Sequence, residues 1–201
     1  MKNISKLAYV YDLNPRQGLG HFTRINGLIK EFRRNGVECY LALEDKHRDF
    51  HKKIIRDEKP IYFEKTSKSF KLFVATLRIN KINSVLIDSY SFNLKWEKYL
   101  SEEGFFIIAI DDHFKKHSAN MIFTNKPESE RKFQNNKSQK WFMGPEFALL
   151  GQAKKRDVKK RKTIGSILLH GGGSSLFNLM KNFTIETMAF AEKNSIDLSV
   201  V

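Results

Sequence analysis

Short apolar runs alternate with stretches of helical periodicity along most of this chain. Residues 6–12 form the first apolar run, and residues 37–43 form the second. Between them, starting at His21, apolar side chains recur at the spacing of one helical face: Phe22, Ile25, Leu28, Ile29 and Phe32. Asn35 and Gly36 then form a typical C-terminal stop for a helix. This strand–helix–strand alternation predicts an α/β fold, in which helices cover a parallel sheet.

The same alternation predicts further elements up to Gly144 and Pro145, which interrupt the pattern. The predicted strands are residues 61–63, 84–88 and 105–110, and the predicted helices are residues 69–79 and 94–103. Two further segments, 121–123 and 141–143, are predicted to be short edge strands. These elements indicate one α/β domain over residues 1–150.

A second strand–helix–strand pattern begins after a basic run. Residues 154–162 hold seven cations in nine positions, a pattern typical of a solvated linker, which we assign to residues 151–162. A strand up to residue 169, a glycine-rich loop, a helix over 176–193 and another strand follow. So small a β–α–β segment cannot bury both faces of its sheet. We therefore expect residues 163–201 to be the start of an incomplete second domain, which is either truncated or docks on a partner.

Charge and cysteine content limit the classes of partner. The 36 Lys and Arg residues against 22 Asp and Glu give a net charge of +14, which favours anionic partners or reflects an A/T-rich genome. No nucleic-acid-binding motif accompanies the basic run, so we predict no nucleic-acid partner. Cys39 is the only cysteine, which excludes an internal disulfide framework. The first apolar stretch, residues 7–10, is too short for a signal peptide or a membrane span, and this predicts a cytoplasmic protein.

Candidate site residues follow the predicted strands. In an open parallel sheet, ligands bind at the carboxyl ends of the strands. Those ends are residues 12–21, 88–90, 111–113 and 170–175. The first and last of these segments are glycine-rich turns that enter helices, where free backbone N–H groups can bind a phosphate.

His21 is the most informative of these residues. It follows Gly18-Leu19-Gly20, a turn that matches neither the dinucleotide fingerprint nor a Walker A loop. In the first turn of a helix, the positive end of the dipole disfavours imidazolium, so a neutral His21 could act as a general base. The alternative is a capping or packing histidine after an ordinary glycine turn.

The strand-end acids and the remaining histidines allow two interpretations each. Asp88-Ser89-Tyr90 and Asp111-Asp112-His113 could orient a sugar or a base, or they could simply cap the turns that follow them. His113 and His117 have the spacing of a helical metal pair, but Lys115 and Lys116 between them argue against a metal. His47 and His51 share this spacing among charged residues and are predicted to lie on the surface.

Five motifs occur together in an order that matches a known family. They are Gly18-Leu19-Gly20-His21 with Arg24, then Leu86-Ile87-Asp88-Ser89-Tyr90, then Ile110-Asp111-Asp112, then Gly144-Pro145-Glu146-Phe147-Ala148-Leu149-Leu150, then Gly172-Gly173-Ser174 with Asn178-Leu179. The sequence resembles the nucleotide-sugar hydrolases of pseudaminic acid biosynthesis. These enzymes remove UDP from UDP-2,4-diacetamido-2,4,6-trideoxy-β-L-altropyranose and are related to the peptidoglycan N-acetylglucosaminyltransferase.

The resemblance implies a GT-B architecture and a set of roles. Residues 1–150 would be the Rossmann-like N-terminal domain, and residues 163–201 the first β–α–β of a C-terminally truncated nucleotide-binding domain. His21 would activate the water that attacks the anomeric carbon, and Tyr90 would contact the sugar or help hold that water. The substrate-binding residues would be Gly18, Gly20, Arg24, Asp88, Asp112, Gly172, Gly173 and Ser174. No metal and no cofactor are implied.

Three functional hypotheses follow from this resemblance. The first is a UDP-sugar hydrolase, either active or inactivated by truncation. The second is a GT-B glycosyltransferase, in which His21 would activate an acceptor hydroxyl and the basic surface would make peripheral contact with an anionic membrane. The third is a non-enzymatic remnant whose unfinished second domain docks on a partner.

Overall fold

The computed structural model describes residues 4–14, 20–55, 58–130, 138–149, 164–169 and 177–200. The chain divides into two compact units. The first unit is Met1–Asn14 with Leu19–Gln152, and the second is Pro15–Gly18 with Ala153–Val201. Both contain parallel strands and helices, which confirms the predicted α/β class. The predicted linker, residues 151–162, lies outside the described residues.

The described part of the first unit contains a seven-stranded parallel sheet. Its strands are β1 (Lys6–Tyr11), β2 (Glu38–Glu44), β3 (Ile61–Phe63), β4 (Ser84–Asp88), β5 (Phe106–Ile110), β6 (Met121–Thr124) and β7 (Lys140–Met143). Their order is β3-β2-β1-β4-β5-β6-β7, and each neighbouring pair is parallel. The order reverses between β1 and β4, an arrangement consistent with a Rossmann-like fold. Ligands of such sheets bind in the crevice at this reversal.

One of the two predicted edge strands lies inside the sheet. β7 is at the edge, but β6 has a neighbour on each side, with Met121 opposite Ile108 of β5 and opposite Lys140 of β7. The pattern of four residues could not reveal this position, because a short strand carries too little periodicity to show whether both of its edges are paired.

Four α-helices belong to the described part of the first unit: α1 (Gly20–Arg34), α2 (Arg48–Ile54), α3 (Ser67–Ile79) and α4 (Leu94–Glu102). Short 3-10 turns lie at Asp45–His47, Glu128–Glu130 and Pro145–Phe147. Gly36 follows α1 with a φ of 78°, so the predicted stop uses the left-handed conformation that glycine favours. No helix among the described residues has the length and hydropathy needed to cross a membrane.

The sequence predicted α1, α3 and α4 but not α2. This short helix carries mostly charged side chains, and it contributes Phe50 and Ile54 to the core on one sheet face. It also corrects the prediction for His51, which is only 2% exposed and donates from Nε2 to the backbone oxygen of Leu13 at 2.7 Å. Burial lowers the pKa of His51. A neutral imidazole is therefore the form that the core favours.

Each sheet face packs against its own pair of helices. Alternate residues of β1 point to opposite faces, with Ala8 and Val10 in one core cluster and Leu7 and Tyr9 in the other. The first cluster includes the buried apolar side chains of α3 and α4, and the second includes those of α1, with side chains of α2 packed against it. Burial on both faces is the usual situation of a parallel sheet, and it explains why β1 is apolar and buried from Leu7 to Tyr11.

The second unit shows the predicted strand–helix–strand order. It contains β8 (Ser166–Leu169), α5 (Phe177–Lys193) and β9 (Asp197–Val200), and the two strands pair in parallel. Its described residues expose several large apolar side chains, among them Leu168, Phe183, Ile185 and Phe190. A two-stranded sheet with one helix leaves such surface uncovered because it has too few layers to bury it.

Adjacent residues of α3 provide a test of the core. Phe73 is 2% exposed and its ring lies 4.7 Å from that of Phe63, whereas Leu72 is 68% exposed. We expect Phe73→Ala to lower the free energy of unfolding by about 3–5 kcal/mol, because it leaves a cavity between aromatic rings. Leu72→Ala should change it by less than about 0.5 kcal/mol. Urea unfolding followed by circular dichroism measures both, and equal losses would contradict this packing.

Candidate active site

The first unit brings together five of the residues that the sequence singled out. His21 and Arg24 lie on the first turns of α1, Asp88 is the last residue of β4, and Asp112 follows β5. Tyr90 lies on the turn after β4. We call these five residues the His21 cluster. They lie at the carboxyl ends of the strands, where an open parallel sheet binds its ligands.

Asp88 is the acceptor at the centre of the His21 cluster. Its side chain is 1% exposed, and Oδ1 lies 2.9 Å from Nδ1 of His21, which is also buried. A carboxylate can only accept, so this hydrogen bond places the hydrogen on Nδ1 and leaves Nε2 as the nitrogen with a free lone pair. Arg24 Nη2, which can only donate, lies 3.3 Å from the same Nδ1, and its hydrogen bond goes to Asp88 Oδ1. Nε2 has no hydrogen-bond partner among the described residues. The imidazole is thus held by one nitrogen while the other remains available to accept a proton.

Arg24 joins the two carboxylates of the cluster. Its Nε donates to Asp88 Oδ2 at 2.9 Å, and its Nη2 donates to Oδ1 of the same carboxylate. Its Nη1 donates to both oxygens of Asp112, at 2.9 and 3.0 Å. Burial alone would raise the pKa of Asp112, but the hydrogen bonds from Arg24 and Tyr90 outweigh it and hold that pKa below its usual range. Burial also opposes the charge of Arg24, yet the two carboxylates raise its pKa.

Tyr90 covers His21 from the side. The two rings meet edge to face with centroids 4.6 Å apart, and the Tyr90 hydroxyl donates to Asp112 Oδ2 at 3.0 Å. Burial and the neighbouring Asp112 carboxylate raise the pKa of Tyr90 to about 12. Its phenol therefore stays protonated near neutral pH, where it can donate a hydrogen bond but cannot act as a base.

Asp12 holds the turn that carries Tyr90. This buried carboxylate accepts from the backbone N–H of Tyr90 at 2.6 Å and from the hydroxyls of Ser89 and Ser91 at 2.6 and 2.7 Å. Burial would raise the pKa of Asp12, but these hydrogen bonds outweigh it and lower that pKa. The sequence predicts Asp12 at a strand end but does not predict its role. Its position directly after β1 marks it as a strand-end acid, but the groups that it binds lie 77 to 79 residues further along the chain.

A pocket of about 230 Å³ adjoins the His21 cluster at Arg24 and Asp112. Its walls combine apolar and polar side chains from β5, β6 and the segment after β7: Ile110, Phe123, Thr124, Asn125, Phe147, Ala148 and Leu149. The volume is below the roughly 300–1,000 Å³ of typical small-molecule sites, so the pocket can hold part of a ligand.

Of the five remaining predicted substrate-binding residues, only Gly20 is among the residues that the structure describes. Gly18, Gly172, Gly173 and Ser174 lie outside the described residues. Gly20 begins α1, and a Cβ placed on it would meet no described atom within 4 Å. No group of three His, Cys, Asp or Glu side chains among the described residues is arranged to hold a metal ion.

Asp111 and His117 contact each other next to the His21 cluster, and Asp111 holds the turn that carries Asp112. The imidazole of His117 lies between two buried carboxylates, with Nδ1 2.8 Å from Glu97 Oε1 and Nε2 3.2 Å from Asp111 Oδ2. Asp111 also accepts from the backbone N–H groups of His113 and Lys115, at 2.8 and 2.7 Å. Of the two adjacent acids after β5, Asp111 therefore fixes the turn and Asp112 faces Arg24.

Comparisons with known proteins add no assignment: neither the family models nor the curated proteins match this sequence.

Protonation of His117 should make stability depend on pH. Burial opposes its charge, but Asp111 and Glu97 outweigh that effect and raise the pKa of His117 to about 9. Because this folded-state value exceeds the usual value of about 6.5, the stabilisation is complete below pH 6.5 and is lost as pH rises towards 9. We expect the free energy of unfolding to fall by on the order of 3 kcal/mol across this window.

Chemical denaturation at a series of pH values measures this dependence. His117→Gln should be less stable at neutral pH and should flatten the decline between pH 6.5 and 9, while His47→Gln should retain the full decline. An unchanged decline in His117→Gln would show that another group causes it.

Proposed function

We propose that this chain carries the catalytic histidine of a nucleotide-sugar hydrolase, which releases UDP from a UDP-linked diacetamido-trideoxy sugar. The observation that carries the proposal is the 2.9 Å contact from His21 Nδ1 to the buried carboxylate of Asp88. It gives His21 the tautomer that a general base needs. The order of the five shared motifs supplies the substrate class.

The same resemblance assigns the larger architecture. The first unit would be the N-terminal Rossmann-like domain of a GT-B protein, and the second unit would begin the nucleotide-binding domain. Gly18, Gly172, Gly173 and Ser174 would bind the diphosphate. The parallel sheet of the first unit supports this assignment, because its strand order is that of a doubly wound nucleotide-binding domain.

In the proposed reaction, Nε2 of His21 accepts a proton from water as the water oxygen attacks the anomeric carbon. The bond between that carbon and the diphosphate oxygen breaks, and its electron pair leaves with UDP. Attack from the face opposite the leaving group inverts the anomeric centre. The carboxylate of Asp88 stabilises the imidazolium that forms, in the way that the aspartate of a catalytic triad does.

The remaining members of the His21 cluster keep this pair in position. Arg24 binds both oxygens of Asp88, which prevents the carboxylate from rotating away from His21. The hydroxyl of Tyr90 would donate to a sugar oxygen or to the attacking water by turning its single hydrogen away from Asp112. The adjoining pocket at Asp112 would receive part of the sugar.

UDP release from UDP-2,4-diacetamido-2,4,6-trideoxy-β-L-altropyranose tests the proposal. We expect His21→Asn to lower kcat by about 10²–10⁴-fold, the usual contribution of a general base. Asp88→Asn should lower kcat by a comparable factor, because the amide can donate to Nδ1 and thereby place the ring hydrogen on Nε2, and because the charge that stabilises imidazolium is lost. His47→Asn is the matched control and should retain full activity, since His47 lies on the 3-10 turn before α2 and touches no member of the cluster.

Three results would contradict the proposal or one of its parts. Full activity of His21→Asn would show that the base is wrongly assigned. UDP release only in the presence of an acceptor sugar would identify a glycosyltransferase, while failure of the wild type to release or bind UDP-sugar would favour the non-enzymatic alternative. Circular dichroism of each variant separates a loss of chemistry from a loss of folding.

A further inference from the structure

The β5–β6 loop, which we define as residues 111–120, contains no helix or strand, yet it presents Asp112 to the His21 cluster. Two buried carboxylates hold its backbone. Asp111 accepts from two N–H groups of the loop, at 2.8 and 2.7 Å. Glu97 of α4 accepts from a third, the N–H of Ser118, at 2.7 Å. The conformation of the loop therefore depends on where these two acids lie.

The imidazole of His117 lies between the same two acids. Its side chain is 8% exposed, with Nδ1 2.8 Å from Glu97 Oε1 and Nε2 3.2 Å from Asp111 Oδ2. Because carboxylates only accept, an imidazolium with a hydrogen on each nitrogen matches both contacts. The groups that approach from β7 and the turn before it are neutral: the Trp141 ring lies at a centroid distance of 6.1 Å, and the Gln139 amide donates to the His117 backbone oxygen. Among the described residues, Glu97 and Asp111 are thus the charged groups that face this ring.

Loss of the His117 proton acts mainly on one of these two contacts. The contact of Nδ1 with Glu97 is the shorter, so a neutral ring keeps its hydrogen there. Nε2 then turns a lone pair towards Asp111, and the two carboxylates lose the cation between them. A buried carboxylate that loses its charge partner is strongly destabilised. Asp111, which holds the turn of the loop, is therefore the acid that deprotonation displaces.

The β5–β6 loop contacts Tyr90 of the His21 cluster at three positions. Asp112 accepts from the Tyr90 hydroxyl at 3.0 Å, and the His113 ring lies 4.9 Å from the Tyr90 ring. Lys115 Nζ donates to the Tyr90 backbone oxygen at 3.2 Å. Two of these three residues, His113 and Lys115, are the ones whose backbone N–H groups Asp111 binds. A displacement of Asp111 would therefore reach the cluster through Tyr90.

We propose that His117 is a positioning residue for the His21 cluster. Its imidazolium holds Asp111 in place, and the β5–β6 loop then keeps Asp112 bound to Arg24 and Tyr90. Loss of the proton releases this arrangement, so the site loses activity at alkaline pH through a residue outside the cluster. The effect on catalysis rests on the proposed function, whereas the coupling between His117 and the cluster does not.

NMR of the chain labelled with carbon-13 histidine tests the coupling without any enzymatic activity. Each of the six histidines gives one Cε1–H signal, and the variants His117→Gln and His21→Asn assign the two that are needed. Burial opposes the charge of His117, but Asp111 and Glu97 outweigh it and raise its pKa to about 9, so its own signal should shift near that pH. The His21 signal should shift over the same range, because the Tyr90 ring lies edge to face against it and moves with the loop.

The UDP-release assay measures the catalytic consequence. The kcat of the wild type should fall by about 10–100-fold through a transition near pH 9, the usual cost of a small misplacement in a site. Tyr90, whose pKa is raised to about 12, would give a transition well above this range. His117→Gln should already have the lowered kcat near neutral pH and should lose no more towards pH 9.

Glu97→Gln is a second variant that keeps His117 itself. It retains the shape of the side chain and removes one of the two charges that stabilise the imidazolium. The His21 shift and the fall in kcat should both move to lower pH by about one to three units, which a purely structural role of His117 would not produce. His47→Gln is the matched control and should keep both transitions at the wild-type pH, since His47 lies on the 3-10 turn before α2.

Three results would overturn the proposal. The first is a His21 signal that does not move while His117 loses its proton, and the second is a His117→Gln protein that keeps this shift. The third is a fall in kcat near pH 9 that persists in His117→Gln. If the wild type releases no UDP at any pH, the hydrolase function fails, and the NMR transitions alone decide the role of His117. Circular dichroism at each pH confirms that the chain stays folded.

Discussion

The buried carboxylate of Asp88 is the constraint on which the candidate site depends. An ionised carboxylate removed from water costs several kcal/mol unless charge and hydrogen bonds replace the lost hydration. The fold supplies both from α1, because Arg24 contributes the charge and His21 contributes a further donor. Since these two residues lie three positions apart on one helix, their side chains reach Asp88 together. The need to satisfy one acid therefore orients the histidine.

Acids at other strand ends of the same sheet have a different task. Asp12 and Asp111 are buried, and each binds backbone N–H groups of a turn. One of these turns carries Tyr90, and the other begins with Asp112. The acids at the carboxyl edge of the sheet thus form two groups. Asp12 and Asp111 hold turns, whereas Asp88 and Asp112 bind Arg24. The hydrogen bonds of Asp12 and Asp111 therefore fix the backbone of the turns that carry Tyr90 and Asp112.

The carboxyl edge of the sheet and the helices that cover its faces have separate roles. The His21 cluster lies at that edge, whereas α3 and α4 cover one face of the sheet. The parallel sheet needs α3 only for its inward side chains, and these already include Phe70, Phe73, Val74 and Leu77. The outward positions are free to carry other chemistry.

The α/β class and most of the helices and strands can be predicted from the sequence alone. The apolar spacing of a helix or a strand involves residues at most four positions apart, so it can be recognised in the sequence without knowledge of the fold. The strand-end rule also identified His21, Asp88, Tyr90 and Asp112 as candidates, because parallel strands bring their carboxyl ends to one edge. Arg24 entered only through the resemblance to a family, since no local pattern distinguishes it from other helical arginines.

Which of these residues contact one another depends on the tertiary structure. Arg24 and Asp88 are 64 residues apart, and Arg24 and Asp112 are 88 apart, so no local period relates them. The burial of His51 and the existence of α2 were missed for the same reason, because a charged segment becomes helical through the core it covers. Local periodicity specifies elements, whereas the pairing of charges across elements depends on how the sheet aligns them.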